Sequence, residues 1–255
     1  MKGMRLHLFM LTILLMTVMG WSQSLDADSI QAIFTQANQA YREKQFAEAL
    51  KGYKKIIEAG FHNPTVFYNA GNAYYKLGER GKAVLMYEKA RRLAPRDAEI
   101  GQNLLRVEPP INRQKSFFLL LPLKLLKQSF SLNEFILIAE GLYIIFSVCL
   151  IATLLINREK KAGFKKSLKP LGILLIIVLI FTGVKIYEEK VTIQGTVIPN
   201  KAVVRSGPGE QFSEILVLPG GTKFCQIGAP EEGWIRIRLP DGKSGYLNEQ
   251  AYHII

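Results

Sequence analysis

Histidine and cysteine are scarce in this chain, at three and two of 255 residues. His7, His62 and His253 lie near no cysteine or carboxylate pair at ligand spacing, so no metal site is expected. The sequence also lacks a phosphate-cradling glycine loop and a nucleophile elbow, and Gly207-Pro208-Gly209 reads as a turn. No catalytic residue and no cofactor are expected, and the chain is read as a non-enzyme. Cys149 falls inside a long apolar run and Cys225 in a polar tail. An interface separates them, so no intrachain disulfide is expected.

A net charge of +12 would suggest a nucleic-acid binder if position were ignored. Position removes that inference. Arg158, Lys160, Lys161, Lys165, Lys166 and Lys169 crowd one short segment against a single Glu159, while 191–255 balances six basic with six acidic residues. The basic segment, read as a loop over 158–169, lies between two apolar runs, 132–157 and 170–187. Fourteen residues of 135–156 are Leu, Ile, Phe or Val, each favouring insertion by about 0.3–0.6 kcal/mol. Together they outweigh the cost of Glu140, on the order of 3 kcal/mol. The second run is interrupted only by Gly172, Thr182, Gly183 and Lys185. Both runs are expected to be transmembrane helices, integral to a membrane, and positive charge in a short connection marks the cytoplasmic side.

An earlier apolar run, 8–19, follows Lys2 and Arg5 and ends at Gly20-Trp21-Ser22. It reads as a signal peptide over 1–22, with an uncleaved anchor as the alternative. The expected placement is a bacterial inner membrane crossed twice, with the flanking domains in the periplasm and 158–169 in the cytoplasm. Ser131 and Glu134 have capping-box spacing at the outer end of the first span. Glu140 lies deeper, where a carboxylate is unfavourable. Its expected partner is Lys185, approaching from the second span, or a polar group on another protein's helix; the alternative is a protonated carboxyl or one at a locally wetted interface.

The N-terminal half repeats. Ala37, Asn38, Tyr41, Ala49 and Tyr53 return 34 residues later as Gly71, Asn72, Tyr75, Ala83 and Tyr87, the period of a stacked helix-turn-helix unit. The second copy, 62–95, has Gly71, Ala83 and Ala90 where helices must approach closely, with Phe67, Tyr74, Leu77, Tyr87 and Leu93 as bulk; Gly78 and Pro95 close its helices. It resembles a tetratricopeptide repeat (TPR). The first copy, 28–61, is weaker, with Ala37 in place of the glycine and Phe61 where a proline would close it. Ile100, Leu104, Leu105 and Val107 suggest a capping helix, completing a TPR domain over 23–107.

The resemblance implies a concave ligand face built from the first helix of each copy: Phe34, Asn38, Tyr41 and Arg42 with Tyr68, Asn69, Asn72, Tyr75 and Lys76. In repeats that clamp a chain terminus, basic residues stand where this chain has Phe34, Glu99 and Asn103. A helix or an extended internal segment is therefore the expected ligand.

Between repeats and membrane, 108–131 opens with Pro109-Pro110 and continues with Phe117, Phe118, Leu119, Leu120 and Leu121 among lysines. Pro122 breaks it, so it reads as a linker along the membrane surface. The tail, 191–255, alternates short apolar runs with the turn clusters 206–209, 219–221 and 240–242, as in an all-β barrel of about five strands. Val204-Arg205-Ser206-Gly207-Pro208, Gly233-Trp234-Ile235-Arg236-Ile237 and Asp241-Gly242-Lys243-Ser244-Gly245-Tyr246-Leu247 resemble the bacterial SH3-like domain. That likeness implies a groove at Arg205, Trp234 and Tyr246.

The expected fold is thus multidomain: α-helical TPR hairpins, two transmembrane helices and a small all-β SH3-like barrel. The order of these parts, with the run Tyr68-Asn69-Ala70-Gly71-Asn72-Ala73-Tyr74-Tyr75-Lys76-Leu77-Gly78, resembles the BatE-like membrane proteins of the Bacteroides aerotolerance (Bat) group. The resemblance implies a scaffold beside membrane proteins with von Willebrand A domains, serving oxidative or envelope stress. A second reading has the SH3-like domain sense peptidoglycan while the repeats regulate an enzyme elsewhere.

Overall fold

The computed structural model describes residues 27–112, 129–155, 158–190 and 193–255. The expected signal peptide and the apolar core of the linker lie outside these residues. The chain divides into two compact units, 1–62 and 63–255.

The first unit contains a helical hairpin, α1 (Ala27–Arg42) and α2 (Phe46–Glu58). Ala37, Ala49, Tyr53 and Ile56 are buried between its helices. The helices pack closely at Ala37, where a Cβ on Gly52 would stand 2.7 Å from the alanine methyl. The glycine that seemed missing from this copy is supplied by the facing helix.

The second unit opens with the equivalent hairpin, α3 (Pro64–Lys76) and α4 (Arg80–Leu93), followed by α5 (Ala98–Val107). The starts of α3 and α5 have a local cause. Asn63 caps α3 by accepting from the Thr65 amide, with Pro64 in the first turn, and Asp97 caps α5 by accepting from Glu99 and Ile100. Gly78, at φ +80°, turns the chain between α3 and α4. Phe67, Tyr74 and Tyr87 are buried as expected, but Leu77 and Leu93, at helix ends, are more than a third exposed. In α5 Ile100, Leu104 and Val107 face inward; Leu105 points to solvent.

Two helices, α6 (Leu132–Leu155) and α7 (Arg158–Lys190), are long and apolar enough to cross a membrane over Leu132–Thr153 and Lys165–Tyr187. At 1.5 Å per residue each stretch is roughly 33 Å long, against about 30 Å of hydrocarbon. Phe135 stacks on Phe181 at 6.2 Å and Gly172 lies against Phe146, so the two helices run antiparallel. The α6 seam facing α7 is Phe135, Ala139, Leu142, Phe146, Cys149 and Thr153, all buried or half-buried. The basic stretch expected as a loop over 158–169 is instead the first turns of α7. Lysine and arginine are good helix formers, and charge alone does not interrupt a helix.

The tail forms one antiparallel sheet of seven strands: β1 (Gln194–Val197), β2 (Lys201–Arg205), β3 (Glu214–Pro219), β4 (Lys223–Glu231), β5 (Trp234–Arg238), β6 (Ser244–Asn248) and β7 (Tyr252–Ile254), in the order 3-2-6-5-4-1-7. The expected barrel of about five strands differs in two ways. Strands β1 and β7 are added, pairing with each other as short runs without clear alternation. Among the described residues no ladder joins the edges β3 and β7, so hydrogen bonding does not close the sheet. Its inner face is a continuous core of Val197, Val204, Leu218, Phe224, Ile235, Ile237 and Leu247.

Candidate protein-interaction site

In the first hairpin, Asn38 sits on the inner turn of α1, and its side-chain oxygen accepts from the Tyr53 hydroxyl at 2.7 Å. The Tyr53 ring lies 6.3 Å from Phe34, and Tyr41 meets Phe46 edge-on at 5.2 Å. Phe34, Asn38 and Tyr41 are half-buried; Arg42 is exposed and bonded to Gln39.

The second hairpin repeats that bond 34 positions on: Tyr87 donates to Asn72 Oδ1, again at 2.7 Å. Here α5 adds to it. Asn103 Nδ2 lies 2.9 Å from the Tyr68 hydroxyl and 3.2 Å from Asn72 Oδ1, and the Tyr68 and Tyr87 rings are 5.9 Å apart. A single buried-edge network thus fixes Tyr68 and Asn72 in position. Tyr75 and Asn69 are half-buried beside them and Lys76 is exposed. The surface combines aromatic faces, amide groups and a cation. It can hold a peptide by stacking and hydrogen bonding.

Residues 64–97 match the family model of the tetratricopeptide repeat. The match begins at the first residue of α3 and ends at the N-cap of α5. A repeat of this family is generally a non-catalytic module for binding proteins. No curated protein matches the chain.

Sequence reasoning missed a second polar cluster, on the other side of α4. Glu88 is 2% exposed. Its carboxylate accepts from Arg91 at 2.7 and 3.0 Å and from Lys223 of β4 at 2.8 Å. Lys223 also lies 3.0 Å from Glu108 Oε2, an ionic contact outside hydrogen-bond geometry, so that oxygen accepts no hydrogen bond. Burial opposes ionisation of Glu88, but the charges of Arg91 and Lys223 outweigh it and hold the carboxyl below its ordinary range. Around the cluster, Arg92 donates to the main-chain oxygen of Ile255 at 2.9 Å. Gly81 leaves room for the carbonyls of Val197 and Ile198, and Gly221, at φ +88°, packs under Val84. A cleft of about 660 Å³ opens beside it, lined by Leu104, Leu105, Phe224, Cys225 and Arg238. The available signal was α4 itself: Val84 and Leu85, added to Ala83, Tyr87 and Ala90, make the helix apolar on more than one side.

Arg205, Trp234 and Tyr246 lie on the outer face of the sheet. Register pairs Arg205 with Tyr246 and Tyr246 with Arg236, two positions from Trp234, and directly paired residues share a face. Trp234 is buried there, and Arg205 donates to the Phe212 carbonyl at 2.8 Å, tying down the 206–213 loop.

At the membrane end, Ser131 and Glu134 form the expected capping box: Glu134 accepts from the Ser131 amide at 2.7 Å, and Ser131 Oγ accepts from the Glu134 amide at 3.3 Å. Glu134 also pairs with Arg96, whose guanidinium lies over Phe130 at 5.1 Å. The expected Glu140–Lys185 pair does not form. Lys185 donates to the Phe130 carbonyl and stands 5.5 Å over the Phe135 ring, on the α6–α7 face, while Glu140 points outward.

Proposed function

We propose that this chain is a membrane-anchored protein-interaction scaffold of the bacterial cell envelope. The observation that carries this is the TPR hairpin with its Tyr68–Asn103–Asn72–Tyr87 network, attached at both sides to other parts of its unit. Arg96 joins it to the head of α6, and Glu88 with Lys223 joins it to the sheet. A face held this rigidly presents Tyr75, Asn69 and Lys76 at low entropic cost to a partner.

Because α6 and α7 are antiparallel, the chain before α6 and the chain after α7 leave from the same end. If the pair spans a bilayer, repeats and sheet share one side. The basic turns of α7 lie at the opposite end, which supports cytoplasm there and periplasm for both domains. Alkaline phosphatase fusions should be active at Leu105 and Ile255 and inactive at Gly163; activity at Gly163 overturns the orientation.

The resemblance to the Bat group favours membrane proteins with von Willebrand A domains as partners, in an aerotolerance or stress complex. The shared outer face of Arg205, Tyr246 and Trp234 favours, as a second reading, contact with peptidoglycan through an SH3-like tail. Co-purification of the detergent-solubilised chain, run beside sedimentation with purified cell wall, separates them. Retention by cell wall that is lost in Arg205→Ala and Tyr246→Ala would favour the second.

A further inference from the structure

One side of α6 is occupied by α7. The opposite side carries a seam of its own. Asn133, Leu137, Glu140, Ile144, Ser147 and Ile151 follow one another at alternating steps of four and three residues, the spacing that lines up one stripe along a helix. Leu137, Ile144 and Ile151 are 65%, 60% and 52% exposed. Asn133 and Glu140 are exposed too, and Ser147 is half-buried. Polar and aliphatic residues therefore alternate along a side turned away from α7.

Lipid gives no reason for that alternation, and it makes a carboxylate unfavourable. Among the described residues none answers Glu140. Lys185, the cation nearest in depth, is directed to the Phe130 carbonyl and the Phe135 ring, and no hydrogen bond or ion pair joins Glu140 to another described residue.

We propose that this seam docks a transmembrane helix of a partner protein carrying lysine or arginine at the depth of Glu140. The inference rests on α6 and α7 spanning a membrane. The three aliphatic side chains supply packing, and Asn133 and Ser147, one heptad to either side of Glu140, fix register by hydrogen bonding. Charge decides between occupants. A second copy paired in parallel about a two-fold axis sets Glu140 against Glu140, a like-charge contact in a medium of low dielectric. A basic partner helix completes the pair.

The test uses the full chain with a fluorescent donor at its C-terminal end, reconstituted in phosphatidylcholine vesicles. Synthetic leucine-alanine transmembrane helices carry an acceptor and either lysine or leucine nine residues from the outer end. The lysine helix should produce half-maximal energy transfer at a helix-to-lipid ratio roughly three- to tenfold below that of the leucine helix. Glu140→Gln should erase the difference. Equal transfer to both helices, or a lysine preference that survives Glu140→Gln, overturns the proposal. So does transfer between donor- and acceptor-labelled copies of the parent chain that is lost in Glu140→Gln, which would give the seam to a second copy. Alkaline extraction runs alongside. A chain stripped from the vesicles sinks the membrane reading and the proposal with it, whereas an inserted chain without lysine preference sinks the seam alone.

Discussion

The two hairpins carry the same internal bond and differ in what surrounds it. Tyr53 to Asn38 and Tyr87 to Asn72 have the same length, and each buries a tyrosine body while satisfying its hydroxyl. Their outer residues diverge. Lys54 is exposed in the first hairpin; its counterpart 34 positions on, Glu88, is buried in an ion cluster with the sheet. The lesson is a division of labour within one repeat: a few positions make the hairpin, and the rest decide what it is attached to.

The largest expected effect breaks that attachment. Glu88→Ala removes the buried carboxylate that Arg91 and Lys223 share, leaving Lys223 only Glu108, and should lower stability by about 3 kcal/mol, read as a fall in the thermal midpoint of the detergent-solubilised chain. Lys54→Ala should stay within about 0.5 kcal/mol of the parent. Acid probes the same contrast. Since the Glu88 carboxyl is held below its ordinary value of 4.5, its stabilisation is complete above that pH and is lost as pH falls through the lower, folded value. Protease cleavage between sheet and repeat should therefore rise below pH 4.5. That component should be missing in Glu88→Ala.

A second effect tests how each hairpin closes. In the first, Gly52 faces Ala37; in the second, Gly71 makes room for the Tyr87 ring, where a Cβ would stand 2.7 Å from two ring carbons. Gly52→Ala and Gly71→Ala should each cost about 1–3 kcal/mol by overpacking. Adding Ala37→Gly should restore most of the loss from Gly52→Ala and none from Gly71→Ala. Denaturation midpoints of the four variants check this. If both single changes prove harmless, the close approach does not constrain the helices.

The smallest effect concerns the shared bond. Tyr53→Phe and Tyr87→Phe should each cost about 0.5–1.5 kcal/mol. In Tyr87→Phe, Asn72 still accepts from Asn103, so adding Asn103→Ala should deepen that loss. An unchanged loss would show that α5 does not support the second network.

The hairpins were legible because their signals are local and periodic: small residues at contact positions, tyrosines at a fixed offset, and Gly78 and Pro95 at helix ends. The α6–α7 pair was legible from composition. The Glu88 cluster was not, since Glu88 and Arg91 three residues apart also describe a solvent-facing ion pair, and only the fold brings Lys223 to them. Strands β1 and β7 escaped for a related reason: three or four residues carry no alternation, and their pairing is fixed by each other and by β4. Among the candidate site residues, the aromatic and amide positions of α3 were proposed from repeat register. Asn103, which holds them, was considered only as a position lacking charge.

The face of α3 around Tyr75 is proposed to capture a protein. Replacing Tyr75 with the photo-cross-linker p-benzoylphenylalanine in intact membranes tests it most directly. The account predicts a discrete adduct with a membrane protein, weakened by Lys76→Glu and absent when the same cross-linker replaces Leu93 at the far end of α4. Adducts with lipid or cell-wall polymer alone, or the same protein captured equally from both positions, would contradict it.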